Sequence, residues 1–462
     1  MSALALFGGR PVLSSESHRR WPIVGEEERR AIARVLDRGV LSGPFAPEAR
    51  ALEDEFASYV DARHCLLTHC GTSALLIALA ASGVRAGDEV IVPAYSFVAT
   101  PLAVIHVGAV PVFADVDVET GCLDPAAAEA AVTARTRAIM PVHMHGGAAD
   151  FEALDGVARR HGLILVEDAA QAHGATHAGR PVGALGAAGG FSLQSSKNLA
   201  AGEGGLFVTN DEAIAREAAS IRNFGQDVAR SDASDKAVYD PSRPLDGTRP
   251  LESLRVGSMY RGNELMAAFA RAQLARLPER TARCQANAER LSRALSELPG
   301  VAPPRPVPRR SSVHHKYRVH LDPRRAGLDL PRLNQVVWRD AVVAALRAEG
   351  LDVVLWQSAP LPAQGVFQRR DVSTGFPPAA LPAALPHGGA AAAREGGTDL
   401  VANYDPARYP RTKALLDGSI VLFSQSCPLI AQPDDVVDRY AEAFRRVWEH
   451  RAALATWATR AS

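Results

Sequence analysis

Leu163-Ile164-Leu165-Val166-Glu167-Asp168 is a short apolar run that closes on two carboxylates, and Ala169-Ala170-Gln171-Ala172-His173 follows it. An unbroken apolar run of this length reads as a strand covered on both faces, because a strand with one wet face alternates. Working outward, similar runs stand at 65–68, 89–93, 110–115, 138–142, 190–193 and 205–209. Helical patterns separate them, at 73–81, 125–134 and 151–161. Strands alternating with helices predict an α/β fold with a mostly parallel sheet sandwiched by helices. Ligands of such sheets bind beyond the carboxyl ends of the strands, which is where Asp168 falls.

The C-terminal part reads differently. A helix is expected over about 263–282 and again over 286–297, then a Pro-rich hinge at 301–310, a strand at 315–321, a helix at 339–349 and a strand at 351–356. A last helix starts near Pro433-Asp434-Asp435 and carries Val436, Val437, Tyr440, Phe444, Val447 and Trp448 on one face. The expected division is a large domain over 1–285 with an N-terminal arm, and a smaller α+β domain over 286–462. Two stretches, 226–250 and 370–403, read as long loops, the second an insertion rich in Ala, Pro and Gly.

Bulk properties narrow the function. The 462 residues carry 51 basic and 51 acidic side chains, so no net charge points to nucleic acid. No apolar run approaches the ~20 residues that span a bilayer, and no signal peptide is read at the N-terminus. The five cysteines, 65, 70, 122, 284 and 427, form no CxxC pair, so neither a disulfide framework nor a metal site is expected and a reducing cytoplasm is the default.

Only four of the basic residues are Lys: Lys197, Lys236, Lys316 and Lys413. Lys197 lies in Ser192-Leu193-Gln194-Ser195-Ser196-Lys197-Asn198-Leu199, ahead of the glycines at 202, 204 and 205. A surface lysine on a turn is one reading. A desolvated amine that forms a Schiff base, which Arg cannot do, is the other. Four elements at strand ends surround it. Gly71-Thr72-Ser73 opens a helix and suits a phosphate, though Ser and Thr also serve as plain caps there. Tyr95-Ser96-Phe97 puts an aromatic after a strand, able to stack on a planar ring or to fill the core. Asp168 can hold a pyridine nitrogen protonated or cap a helix, and Gln171 lies on the same face. The Ser192 hydroxyl adds a phosphate contact. A phosphate cradle, a stacking ring, a carboxylate and an isolated lysine together specify pyridoxal 5'-phosphate.

Gly71-Thr-Ser-Ala-Leu, Pro93-Ala-Tyr-Ser-Phe-Val-Ala-Thr, Pro141-Val-His-Met-His-Gly, Glu167-Asp-Ala-Ala-Gln-Ala-His, Phe191-Ser-Leu-Gln-Ser-Ser-Lys and Gly202-Glu-Gly-Gly resemble the DegT/StrS-type sugar and cyclitol aminotransferases, as do Arg222-Asn-Phe-Gly and Tyr260-Arg261. The resemblance implies the aspartate-aminotransferase fold (fold type I) and an amino transfer from Glu or Gln to a keto-sugar or keto-cyclitol. It implies that Lys197 carries the cofactor and moves the proton, that Asp168 pairs with the ring nitrogen and that Gln171 lies on the phenolic side. Phe97 would stack on the ring, with Gly71, Thr72, Ser73 and Ser192 around the phosphate. Arg261 would reach the site of a partner subunit in a homodimer. His143, His145, His315 and Tyr317 are candidate substrate contacts. The chain departs from the family where Met259 replaces an Asn and where His145 stands in place of a Tyr, and its loops at 226–250 and 370–403 are longer than usual. Residues 360–367 with 404–410 resemble the cyclitol branch. A 3-amino-5-hydroxybenzoate synthase-like enzyme, a sugar dehydratase and a non-catalytic member are the alternatives; dehydratases of the family commonly carry His where Lys197 stands.

Overall fold

A computed structural model describes residues 3–43, 46–226, 253–368 and 403–461. Most of both long loops, at 227–252 and 369–402, lies outside the described residues. The apolar runs form strands β1 (His64–Thr68), β2 (Glu89–Pro93), β3 (Val110–Ala114), β4 (Thr136–Ile139), β5 (Ile164–Asp168), β8 (Ala188–Ser192) and β9 (Gly205–Thr209), with the hairpin β6 (Thr176–His177) and β7 (Arg180–Pro181) between them. The seven long strands make one sheet in the order β1-β9-β8-β5-β4-β2-β3. Only β9 runs antiparallel to its neighbours. The carboxyl ends of β1, β2, β5 and β8 and the amino end of β9 therefore share one edge, and every expected cofactor contact lies on, beside or just past it.

Helices cover both faces. The first two are α1 (Glu26–Arg38) and α2 (Pro47–Tyr59), neither of which was expected from the sequence. Next, α3 (Gly71–Ala81) packs on β8 and β9. It is apolar all round, and Ala74 through Leu79 are all buried, as expected of a helix enclosed on every side. The set continues with α4 (Ala99–His106), α5 (Pro125–Ala130), α6 (Phe151–His161) and α7 (Glu212–Arg222).

The helix expected over 263–282 is two helices, α8 (Glu264–Leu274) and α9 (Leu277–Ser296). Pro278 stands in the first turn of α9. It lacks the N–H that would continue α8, and its ring would clash with the carbonyl of Leu274. α9 runs unbroken through residue 285. Beyond it, β10 (Val301–Ala302), β11 (Tyr317–Leu321), β12 (Val353–Val354) and β13 (Ser419–Leu422) form a second, antiparallel sheet in the order β10-β11-β13-β12. α10 (Gln335–Ala348) packs against it, and the helices Asp434–Glu449 and Arg451–Ala461 pack on α10. The six residues named above on the Asp434–Glu449 helix are buried. One apolar cluster runs from Leu67, Phe191 and Phe56 through Leu277, Cys284 and Leu291 of α9 to Val319, Ile420 and Phe444.

Candidate functional site

Asp168 ends β5 almost fully buried. Thr100 Oγ1, in the first turn of α4, donates to its Oδ2 at 2.7 Å, and the Ala170 N–H donates to its Oδ1 at 3.1 Å. Burial raises the carboxyl pKa; those two hydrogen bonds and the charge of Lys197 pull it back. Lys197 sits on the connection from β8 to β9. Its N–H donates to Gln194 O at 2.8 Å, and its carbonyl accepts from Trp21 Nε1 at 2.9 Å. Ser195 N–H to Gly202 O and Leu193 N–H to Gly204 O, each 2.8 Å, close this loop on itself. Gly202 and Gly204 take φ of 86° and 137°, a region that favours glycine. Burial lowers the Lys197 pKa to about 8, with Asp168 opposing. The lysine is thus half-buried within electrostatic reach of the carboxylate, which favours the desolvated-amine reading over that of a surface turn.

Gly71 and Ser192 meet at the same edge. A Cβ on Gly71 would lie 2.7 Å from Ser192 Cβ and 3.2 Å from its Oγ, so only glycine lets α3 start this close to β8. The first amides of a helix have no intrahelical acceptor, and those of Gly71 and Thr72 open α3 beside the Ser192 hydroxyl. Ser73 is partly engaged: its N–H donates to Cys70 Sγ at 3.4 Å and its hydroxyl meets His69 Nε2 at 3.2 Å. Phe97 leaves 57% of its surface open just past β2. Gln171 Oε1 accepts the His145 N–H at 2.9 Å. Arg261 pairs as an antiparallel bridge with Thr68 at the end of β1.

The four candidate substrate contacts separate into two pairs. His143 is turned away from that role. Its Nδ1 accepts the Ala149 N–H at 3.1 Å, which leaves the proton on Nε2, directed at Glu167 Oε2 3.0 Å away. Tyr317 is turned away as well: it is fully buried, with its hydroxyl 2.7 Å from Ser292 Oγ. His145 and His315 both feel the charge of Lys197. His145 takes a left-handed φ of 56°, sets Nε2 3.2 Å from the Tyr95 hydroxyl, and meets the Trp356 ring edge-on at 5.5 Å. The two ring nitrogens of His315 are buried without a hydrogen-bond partner among the described residues.

This architecture is that of known enzymes. Residues 22–382 match the DegT/DnrJ/EryC1/StrS aminotransferase family. The chain belongs to that family. It is similar to an L-glutamine:2-deoxy-scyllo-inosose aminotransferase of Streptomyces fradiae, 35% identical over 469 residues that cover 99% of this chain and 100% of the relative. It is also similar to an L-glutamine:scyllo-inosose aminotransferase of Streptomyces griseus, 43% identical over 329 residues, 69% of this chain and 74% of the relative. Among solved structures, 3-amino-5-hydroxybenzoic acid synthase superposes with a TM-score of 0.74 at 30% identity, over 93% of this chain and 99% of that one.

This aminotransferase also uses residues that sequence reasoning missed. Thr100 was quoted only as the end of a motif, yet it donates to Asp168. Glu167 looked like half of a carboxylate pair. Instead it accepts the N–H groups of Gly183, Leu185 and Gly186 at 2.7–2.9 Å and so anchors the loop ahead of β8. Trp356, past β12, reaches across to His145, and the neighbouring Gln357 Nε2 donates to Ser96 O at 2.5 Å. No local signal marks these; each acts from a different element. Among the described residues no helix is long and apolar enough to cross a membrane, and no three His, Cys, Asp or Glu side chains gather as a metal site would need.

Proposed function

We propose that this aminotransferase binds pyridoxal 5'-phosphate on Lys197 and moves an amino group from L-glutamine to a keto-cyclitol of the scyllo-inosose type. The observation that carries the chemistry is the half-buried, desolvated amine of Lys197 within electrostatic reach of the buried Asp168 carboxylate. The two relatives named as glutamine-dependent inosose aminotransferases support the substrate class. The residues present fit the cofactor. Gly71, Thr72 and Ser192 offer backbone and hydroxyl donors for the phosphate, Asp168 a carboxylate for the ring nitrogen, and Phe97 an open aromatic face.

When bound, the cofactor supplies a protonated ring that takes up the electron pair left on the substrate carbon. The chain supplies the rest. Asp168, whose ionised form the Thr100 and Ala170 hydrogen bonds favour against burial, would hold the proton on the ring nitrogen. Lys197 Nζ would be the base that takes the proton from the substrate carbon and the acid that returns it across the C–N bond. A pKa near 8 suits an amine that must both accept and give a proton near neutrality. Lys197 also argues against the dehydratase reading. The solved synthase supports a second reading only at 30% identity, against 43% for the inosose enzyme.

We further infer a homodimer in a reducing cytoplasm. The exposed apolar side chains Leu254, Val256 and Met259, just before Arg261 in the chain, and Phe224, whose neighbour Asn223 bridges to Met259, support a covered face there. The five cysteines form no disulfide among the described residues. The experiment that tests the function is borohydride reduction of the yellow holoprotein, then peptide mapping, with glutamine and 2-deoxy-scyllo-inosose as substrates. The label should sit on Lys197, and Lys197→Ala should lose turnover by at least ~10³-fold while staying folded. A label on Lys316 or Lys413, or no product amine from any inosose, would overturn the proposal.

A further inference from the structure

Two of the four lysines, Lys197 and Lys316, lie within electrostatic reach of each other. Lys413 is exposed and paired with Asp417, and Lys236 lies outside the described residues. Lys316, one residue before β11, is 3% exposed, and its Nζ has no hydrogen-bond partner among the described residues. The nitrogen lies 5.8 Å over the Trp356 ring. Asp352 attracts it from beyond ion-pair distance, and Asp352 Oδ2 already takes the Ser424 N–H at 2.8 Å.

The backbone ties this amine to the catalytic edge. The Lys316 N–H donates to His145 O at 3.3 Å, and the His145 N–H donates to Gln171 Oε1, three residues past Asp168. Trp356 packs on both Lys316 and His145. The charge of Lys197 is felt at Lys316 as well.

An ammonium buried without a partner is costly, and an anion is what relieves it. Within the proposed reaction three charged groups need partners. The cofactor phosphate has the α3 start and Ser192, and the ring nitrogen has Asp168. The third is the α-carboxylate of the amino-acid donor. Arg318 cannot meet it, because its guanidinium donates to the carbonyls of Val118 and Glu119 and to Ser419 Oγ. His315 and His145 are pushed well below their ordinary pKa by burial and are neutral.

We propose that Lys316 is the donor-carboxylate subsite: its ammonium, backed by the Trp356 ring, receives the α-carboxylate of glutamine. The inference rests on the aminotransferase reading above. It also accounts for a lysine in a chain that otherwise uses Arg. One site must take an amino acid with its α-carboxylate in the first half of the reaction and a polyol ketone without any carboxylate in the second. Burial lowers the Lys316 pKa to about 8, so the amine can shed its proton when the neutral ring enters. An Arg would remain a buried cation throughout.

The test is a pair of half-reactions on the cofactor-loaded enzyme. Bleaching of its visible band is titrated with L-glutamine and with glutamine α-carboxamide, which lacks the carboxylate. The wild type should need about 30-fold more carboxamide than glutamine for half-bleaching, and Lys316→Met should raise the glutamine value to the carboxamide value. Lys316→Met should leave the carboxamide titration and the ketone half-reaction within about threefold of wild type. A wild type that bleaches equally with both amines overturns the inference, even if no Lys316 variant folds. So does a Lys316→Met that still discriminates, or that loses the ketone step to the same extent. Failure of the aminotransferase reading looks different: no visible band with pyridoxal phosphate, or no bleaching by any amine.

Discussion

At the scale of single residues, the site depends on two groups whose burial opposes the charge state in which they rest elsewhere. For Lys197 the sign is set by the neutral form: only the unprotonated amine captures the cofactor, and its pKa is about 8. Capture of pyridoxal phosphate by the apoprotein should therefore rise about tenfold per pH unit below 8 and level off above it. A lysine with an ordinary pKa near 10.4 would keep gaining up to pH 10. Stopped-flow absorbance between pH 6 and 10 separates the two. For Asp168 the ionised form is the useful one, and burial already raises its pKa. Thr100→Val deletes the 2.7 Å hydrogen bond to Oδ2. A hydrogen bond to a charged group contributes about 1.5–3 kcal/mol, so kcat should fall roughly 10-fold or more and its acid limb should move to higher pH. Thr100→Ser, which keeps the hydroxyl, should restore both. A profile that stays put in Thr100→Val would remove Thr100 from the mechanism.

Elements place these residues, and their legibility followed from how each is stabilised. β5 was readable because both of its faces are covered, which writes a continuous apolar run. α3 was readable for the same reason. α1 and α2 were not: charged residues interrupt both apolar patterns, and α1 buries only Glu28, Ala31 and Val35. Lys197, Asp168 and Gln171 declared themselves through strand ends, whereas Thr100 and Trp356 matter only because other elements bring them across. Lys316 was hidden by strand alternation. It shares phase with the half-buried Arg318 and His320, opposite Tyr317, Val319 and Leu321, so it reads as solvent-facing; in the fold that face is covered by the His145 turn and Trp356. The α3 start carries its own prediction. Gly71→Ala drives a Cβ to 2.7 Å from Ser192 Cβ, and relieving such a contact costs about 1–3 kcal/mol. Pyridoxal phosphate should bind roughly 5- to 100-fold more weakly with the far-UV spectrum unchanged. Equal affinity in a cofactor titration would mean that α3 need not approach β8 this closely.

Across the whole molecule, the segment before α1 links the second sheet to the catalytic loop. Glu349, at the end of α10, accepts the N–H of Ala5 at 2.8 Å and of Val12 at 3.2 Å, with Arg446 NH1 3.1 Å from the same carboxylate. Further along, His18 Nε2 meets the Tyr440 hydroxyl at 2.8 Å and Arg19 N–H donates to Gln432 Oε1 at 3.0 Å. The segment then delivers Trp21, whose ring lies 5.4 Å beneath the Arg280 guanidinium and whose Nε1 holds the Lys197 carbonyl. The lysine loop is thus fastened by a chain segment anchored on the helices of the second sheet. Trp21→Phe keeps most of the buried ring and removes the single donor, a loss of about 0.5–1.5 kcal/mol. Because the lost bond fastens the loop and not the core, local opening should become separable from global unfolding. In urea, the wild type should release cofactor and lose helical signal together, while Trp21→Phe should release cofactor at a lower concentration than it unfolds. Coincident transitions in the variant would show that the loop holds Lys197 without help from the N-terminal segment.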